Sequence, residues 1–276
     1  MSNYRHPKPK IRSAARLRLG GAYFTLRRHM ERLLGGYTFA RVRGDALEFE
    51  IFTHATPLLR QLKNLDMRLQ YNKVTNLKIA VSRLDGVTLF PGETFSYWRC
   101  IGKPTRQKGY LDGMILRNGK IVSAVGGGLC QLSNLIYWTA LHTPLTVTER
   151  HRHGYDVFPD DNRTQPFGSG ATCFYNYGDL TLYNGTDNIF QLWLEVTETE
   201  LRGRWLSDAP PEYTYEVYEK EHVIRIEAWG GYSRNNVLFR RKYDAATREQ
   251  TADEPVAENR AVMMYAPLLE AKGKDV

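Results

Sequence analysis

The clearest hydrophobic pattern in the chain follows Cys130. Leu132, Leu135 and Ile136 recur at the spacing of one helix face, and Pro144 ends the pattern because proline disfavours helical geometry in the residue before it. The pattern therefore predicts a helix that begins at Cys130.

A half-buried strand is predicted directly after this helix. Leu145 and Val147 alternate with threonines, and the same alternation places Glu149, His151 and His153 on the apolar face of the strand. A cysteine at a helix start, followed by a strand that carries inward histidines, is a layout that thiol enzymes require.

Two helices are predicted near the N-terminus. The first runs over residues 13–34, with Ser13 as its N-cap and arginines outside an apolar stripe of Leu19, Tyr23, Leu26, Met30 and Leu33. We interpret it as an amphipathic helix that packs on the domain, with a membrane-surface helix as the alternative. The second is predicted from Thr56 to Tyr71, with Pro57 in its first turn and a stripe of Leu58, Leu62, Leu65 and Leu69. Residues 38–52 between them are predicted to be a short strand or a loop.

The period changes to that of β-strands from residue 76 onwards. Short strands are predicted at 79–81, 88–90 and 115–116, and Asn118-Gly119 predicts a hairpin turn into 120–122. A second hairpin is predicted from strands 180–182 and 190–196 around Asn184-Gly185. Further strands are predicted at 213–218, 223–229, 237–243 and 261–265, with a charged loop over 244–260.

These elements predict an α+β fold with a central helix packed on an antiparallel sheet and β hairpins at the C-terminal end. We divide the chain into a basic helical extension at 1–75, a core domain at 76–200 and a β-rich extension at 201–276.

Charge is concentrated at one end of the chain. The net charge is +8, but residues 1–43 hold eleven arginines and lysines against Glu31 alone, so this segment carries +10 and the remainder −2. The segment predicts weak contact with anionic membranes through residues 13–34, and because no reader motif accompanies the arginines we expect no nucleic-acid partner.

The cysteines and the lengths of the apolar runs indicate the cellular compartment in which the protein is expected. Cys100, Cys130 and Cys173 are few and unpaired in sequence, which favours reduced thiols. No apolar run has the length of a signal peptide or a bilayer span. We therefore expect a cytoplasmic protein, with peripheral contact at the inner membrane face.

The candidate chemistry centres on Cys130. It follows the glycine triplet Gly126, Gly127 and Gly128, which predicts left-handed turns or close backbone approach. A helix start favours the thiolate, so we interpret Cys130 as a nucleophile and His153 as its base. Gln131 is either an oxyanion donor or a helix cap.

The remaining members of such a site stay open at this point. Asn176 and Asp179 are candidates for the group that orients the base by strand order, and Asp156 is the candidate nearer in sequence. Glu149 and Arg150 are interpreted as a local ion pair. A zinc site built from Cys130, His151, His153 and Cys173 is the alternative, although the spacing is not that of a tight zinc site, and our main interpretation includes no metal or cofactor.

The same residues resemble a known family. The run GGGLCQLSNLIYW, the later TERHRH, Phe95-Ser96 upstream and residues 167–172 downstream are similar to the VanW family, named from vancomycin B-type resistance clusters. Glu149, Arg150 and His153 fall on its Glu-Arg-x-x-His pattern, while Gly154 replaces a serine and Gly170 stands where many relatives carry an aspartate. Tyr110 resembles part of the family's Gly-Tyr segment.

The resemblance implies a link to glycopeptide resistance and cell-envelope precursors. Our first hypothesis is a thiol enzyme that transfers or hydrolyses an acyl or amide group of a cell-envelope precursor or peptide-like substrate. Gly126, Gly127, Gly128, Arg150 and Tyr110 would then contact the substrate. The order of cysteine, histidine and polar residue is similar to that of papain and transglutaminases, by analogy only. The alternative is a non-catalytic accessory or scaffold protein that binds precursors or partner proteins at the membrane face.

Overall fold

The structure, a computed structural model of the chain, describes residues 13–59, 66–117, 119–157 and 165–267. Some sequence predictions fall elsewhere: Leu62 and Leu65 of the second predicted helix, and Asn118 of the first hairpin turn, lie outside the described residues.

The described residues form four α-helices, which are α1 (Ala14–Leu34), α2 (Met67–Leu84), α3 (Tyr97–Ile101) and α4 (Cys130–Ala140). The predicted helices at 13–34 and after Cys130 are confirmed. Ser13 caps α1, because its Oγ accepts a hydrogen bond from the Arg16 N–H at 3.4 Å.

The second predicted helix is wrong in its position. Residues 49–57 form a strand, and α2 begins only at Met67, where the Asp66 carboxylate accepts from the Arg68 N–H at 2.8 Å. The strand predicted at 79–81 is also wrong, since it lies inside α2. A three-residue apolar run does not distinguish a strand from the buried face of a helix.

Thirteen strands accompany the helices in the described ranges. The ones in the N-terminal half are β1 (Phe49–Pro57), β2 (Val87–Leu89), β3 (Thr94–Ser96), β4 (Asp112–Arg117), β5 (Lys120–Val125), β6 (Thr146–Glu149) and β7 (Tyr155–Asp156). The later ones are β8 (Thr181–Tyr183), β9 (Phe190–Val196), β10 (Glu200–Ser207), β11 (Tyr213–Ile226), β12 (Tyr232–Asp244) and β13 (Gln250–Met263).

The strands form four small sheets, with orders β1-β10-β9-β2, β3-β8-β6, β4-β5 and β11-β12-β13-β7. Neighbouring strands are antiparallel except for β7 beside β13. The hairpin predicted around Asn118-Gly119 is confirmed by the pairing of β4 with β5. The α+β class with antiparallel sheets is likewise confirmed, and the analogy with papain stays a prediction.

Three further strand predictions need correction. The strands predicted at 213–218 and 223–229 are one continuous strand, β11. The strands predicted as a hairpin at 180–182 and 190–196 do not pair, because β8 lies between β3 and β6 while β9 lies between β2 and β10. The charged loop predicted over 244–260 is mostly β13. Its charges are compatible with a strand because cross-strand partners are available, as in the contact between Arg240 and Glu254.

The core lies between α2, α4 and the first sheet. Leu77 and Leu84 of α2, Leu132 and Leu135 of α4, and Trp205 of β10 are buried there. β1 pairs with β10, and β7 pairs with β13, so the sheets join the three segments that were divided by sequence. None of the helices within the described ranges is long and apolar enough to cross a membrane.

Candidate functional site

A glycine loop links β5 to α4 and is held by close backbone packing. A Cβ placed on Gly127 would lie 2.1 Å from the carbonyl of Gly113 in β4. The Asn76 side chain of α2 donates to the carbonyls of Leu111 at 3.0 Å and Gly127 at 2.9 Å. Close approach therefore requires glycine at position 127, and the left-handed conformation (φ +91°) requires it at Gly128.

Cys130 is the first residue of α4, as predicted, and its thiol lies against the segment that carries Cys173. The backbone of Cys173 acts through a hydrogen bond to lower the pKa of the Cys130 thiol. Burial raises the pKa of the Cys130 thiol, and the hydrogen bond from Cys173 opposes this effect only in part. Burial also raises the pKa of Cys173. The thiol of Cys130 is therefore held protonated, although a helix start by itself favours the thiolate.

The two histidines do not share the strand face on which the sequence placed them. β6 ends at Glu149, so the alternation does not continue through His151 and His153. His151 is exposed, and its Nε2 lies 2.8 Å from Glu149 Oε1. Within the described residues, no hydrogen bond joins His153 to Cys130; the His153 ring packs edge-on against Phe174. Burial, followed by the charge of Arg152, lowers the pKa of His153.

Two further residues that were predicted to belong to the site, Gln131 and Tyr110, lie in other surroundings. Gln131 donates to Thr56 Oγ1 at 3.0 Å and to the Pro57 carbonyl at 2.9 Å, so it ties α4 to the end of β1. The Tyr110 ring is buried, and its hydroxyl has no partner among the described residues. The substrate-binding and oxyanion roles of these residues stay predictions.

Arg150 does not pair with Glu149, which corrects the local ion pair predicted from sequence. Its guanidinium donates to the Gly170 carbonyl at 2.9 Å, to the Gly168 carbonyl and to Asn259 Oδ1 at 2.9 Å. Burial lowers the pKa of Arg150. The residue holds the loop over 168–170 against β13. A Cβ on Gly170 would lie 2.5 Å from Asn134 Oδ1, so the Asn134 side chain fills the space beside this glycine.

The dominant electrostatic feature is a pair of partly or fully buried carboxylates, Glu149 and Asp179, which we call the carboxylate pair. The Asp179 N–H donates to Glu149 Oε1 at 3.0 Å. Both acids are neutralised from α1: Arg28 binds Glu149 through two hydrogen bonds of 2.7 and 2.6 Å, and Arg32 binds Asp179 at 2.9 Å. Arginine matches a carboxylate in this two-bond geometry.

Further donors surround Asp179. The Ser96 hydroxyl donates to Oδ2 at 2.5 Å, and the N–H groups of Trp98 and Leu180 donate to Oδ1, each at 2.9 Å. Burial raises the pKa of Asp179, against the effect of these donors and of Arg32. Burial also acts to raise the pKa of Glu149, but hydrogen bonds from His151, Asp179 and Arg28 outweigh it, and the pKa is lowered.

The candidate orienting residues occupy different places. Asn176 is buried, with its Nδ2 3.4 Å from His29 Nε2 of α1 and its Oδ1 unpartnered among the described residues. Asp156 lies instead in β7, within the C-terminal sheet, where it accepts from the Tyr265 hydroxyl at 3.0 Å and from Arg234 at 3.4 Å. Of the three candidates, Asp179 and Asn176 lie under α1, and Asp156 does not.

The zinc alternative gains no support from this geometry. Across the parts of the chain that the structure describes, no three histidine, cysteine or acidic side chains lie close enough together to hold a metal ion.

Sequence reasoning missed the cations of α1. Arg28 and Arg32 are four residues apart and therefore lie on one helix face, which is the available signal. The leucine stripe instead predicts docking through its own face, because apolar stripes usually face a core. Ser96 likewise has no role predicted from sequence, although it belongs to the resemblance.

In comparisons with known proteins, residues 72–206 match the family described as VanW like protein. The vancomycin B-type resistance protein VanW of Enterococcus faecalis is 36% identical over 183 residues, which is 66% of this chain and 66% of that protein. An uncharacterized protein of Bacillus subtilis, YoaR, is 33% identical over 109 residues, or 40% of this chain and 34% of that protein. The chain thus spans just under two thirds of the first relative and about a third of the second. No solved structure matches the chain.

The matched segment contains the glycine loop, Cys130 and the carboxylate pair, but it does not contain α1. On the sequence match and the identity to the enterococcal protein, the chain belongs to the VanW-like family.

Proposed function

We propose that this protein is an accessory protein of glycopeptide resistance that binds a peptide-bearing cell-envelope precursor without turning it over. The link to resistance rests on the name of the enterococcal relative. The observation that favours binding over catalysis is the geometry at the thiol: within the described residues no hydrogen bond joins His153 to Cys130, and the His153 ring packs on Phe174 instead. Burial also raises the pKa of Cys130 and lowers that of His153, and both shifts oppose a thiolate–imidazolium pair.

The carboxylate pair provides a second argument against catalysis. Two acids at this depth are stable only when cations neutralise them, and in this chain α1 supplies both cations from outside the matched segment. The acids are therefore anchors for positively charged groups, rather than a general acid and base that exchange protons with substrate.

The proposal is tested with purified protein and a muramyl pentapeptide precursor. Calorimetry measures binding, and mass spectrometry of the recovered precursor measures turnover. We expect saturable binding that is unchanged in Cys130→Ser, and an unmodified precursor. Saturable binding accompanied by precursor cleavage or transfer that Cys130→Ser abolishes would refute the accessory role. Absence of binding would refute precursor recognition.

A thiol hydrolase or transferase is the second candidate function. The observation that favours it is the position of Cys130 at the first residue of α4, directly after the glycine loop, where the backbone of Cys173 acts to lower the pKa of the thiol. This candidate requires a thiol that becomes reactive near neutral pH.

Alkylation distinguishes the two candidates. Iodoacetamide labelling is followed residue by residue in folded protein and in protein unfolded with urea. When burial raises the pKa of a thiol, its labelling slows on the order of tenfold for each pH unit by which the pKa rises. The accessory role therefore predicts slower labelling of Cys130 in the folded state. Faster labelling of folded Cys130, lost in His153→Ala, would favour the thiol enzyme.

A further inference from the structure

We infer that the outward face of α1 binds the surface of an anionic lipid bilayer. The face consists of five apolar residues, which we call the outward stripe: Leu19, Tyr23, Leu26, Met30 and Leu33. Their spacing alternates between four and three residues, so they form one line along the helix. The three leucines are 73%, 63% and 78% exposed, respectively.

The orientation of α1 is opposite to that of an ordinary amphipathic helix on a protein surface. Its inward contacts are charged, since Arg28 and Arg32 reach the carboxylate pair. Phe24 adds a ring contact with Tyr177 at a centroid distance of 6.1 Å. Turning the stripe inward would take Arg28 and Arg32 away from the carboxylate pair, so these two ion pairs fix the inward face of α1. The stripe therefore remains outward.

The charge on α1 and on the residues around it favours an anionic membrane surface as the partner of the outward stripe. Arg16 and Arg18 lie exposed beside the stripe, and Glu31 is the only acid in residues 1–44. That acid is bound by Arg27 at 2.7 Å. An apolar line flanked by cations matches the boundary between anionic headgroups and acyl chains.

A second copy of the chain fits less well. Pairing stripe against stripe would bring two arginine-rich helices together, and like charges side by side destabilise such contacts. The stripe extends for about 21 Å at the rise of an α-helix, which suits a helix lying flat in a membrane interface. This inference concerns α1 alone and holds whether or not the proposed precursor binding is correct.

The test measures cosedimentation of the full chain with vesicles of phosphatidylcholine alone or mixed with phosphatidylglycerol. The wild type should bind the mixed vesicles and lose binding as salt rises, because screening acts on the exposed arginines. The double variant Leu26→Glu/Leu33→Glu should bind at least about tenfold more weakly, since each leucine no longer transfers apolar surface from water. Ile226→Glu is the matched control, because Ile226 is 75% exposed on β11, far from α1 in sequence.

Two further measurements make the outcome decisive. Thermal unfolding of each variant checks that the fold is intact, and Arg16→Gln/Arg18→Gln should weaken binding to mixed vesicles without changing the stripe. Equal binding of the wild type to neutral and mixed vesicles, or an equal loss in Ile226→Glu, would overturn the inference. Light scattering measures the oligomeric state of each protein. A dimeric wild type together with a monomeric double leucine variant would show that the stripe binds a second copy of the chain instead.

Discussion

Single residues of this protein are governed by competition between local charge effects and burial, and His142 gives the clearest case. Its Nδ1 lies 2.9 Å from the Trp138 carbonyl, and its ring stacks on Phe52 at a centroid distance of 3.8 Å. Burial lowers its pKa to about 4, with smaller contributions from His54 and Arg240 in the same direction. The ring is therefore neutral in the folded state at physiological pH.

The lowered pKa of His142 predicts a pH-dependent stability. The unfolded chain, with an ordinary histidine pKa of 6.5, binds a proton that the folded chain excludes, so stability is fully present above pH 6.5 and is lost as pH falls toward about 4. The loss is on the order of 3 kcal/mol in free energy of unfolding. Urea unfolding across this range should show it, and His142→Phe should reduce it. The matched control His29→Ala, at an exposed histidine of α1, should leave the slope as in the wild type. An equal reduction in both variants would contradict the assignment.

At the scale of elements, the turn into α4 depends on the contact between the backbones of Gly113 and Gly127. Replacing Gly127 with valine places a branched side chain where the Gly113 carbonyl lies, so β4 and the loop must separate. We expect a loss of about 3 kcal/mol or more in the free energy of unfolding. Gly20→Ala in α1 is the control, because nothing lies within 4 Å of its added Cβ and alanine favours a helix by up to about 1 kcal/mol. Similar stability of the Gly127 variant and the wild type in urea unfolding would show that β4 and the glycine loop tolerate separation.

The docking of α1 provides a second prediction at this scale. Arg32→Ala leaves Asp179, whose side chain is 1% exposed, without its cation, which should cost about 3–5 kcal/mol or force the acid to take up a proton. Arg27→Ala removes only an exposed pair with Glu31 and should cost less than about 1 kcal/mol. Hydrogen exchange should show faster exchange along α1 in the Arg32 variant only. Unchanged protection of α1 in that variant would mean that the ion pair does not hold the helix.

At the scale of the whole molecule, β1 lies outside the family-matched segment of residues 72–206. It nevertheless pairs with β10 and so belongs to the sheet β1-β10-β9-β2. β1 and β10 are paired from Phe49↔Ser207 to Pro57↔Glu200. A fragment of residues 72–206 would lack β1 and would expose the hydrogen-bonding edge of β10 and buried apolar surface. We expect this fragment to aggregate or to lose its near-ultraviolet circular dichroism, while the full chain stays folded. A monomeric fragment that unfolds cooperatively would show that β1 is dispensable.

The sequence by itself determined the elements whose signals are local. The helix after Cys130, the Ser13 cap and the β4–β5 hairpin each follow from residues within a few positions of one another, and the family motif located the segment that carries the candidate site. The glycine triplet was also correctly associated with restricted backbone geometry, because such geometry excludes other residues whatever the rest of the chain does.

Only the tertiary structure decided which distant segments meet. Helical spacing over 56–71 suggested one helix, but pairing with β10 made Thr56 and Pro57 the end of a strand. Residues 67–71 of that range lie in α2. β6 ends at Glu149, so the alternation of inward and outward residues along this strand did not predict where His151 and His153 point. The carboxylate pair decided the face on which α1 docks, because Arg28 and Arg32 neutralise these acids from that face. No pattern within the helix itself predicts the position of those acids.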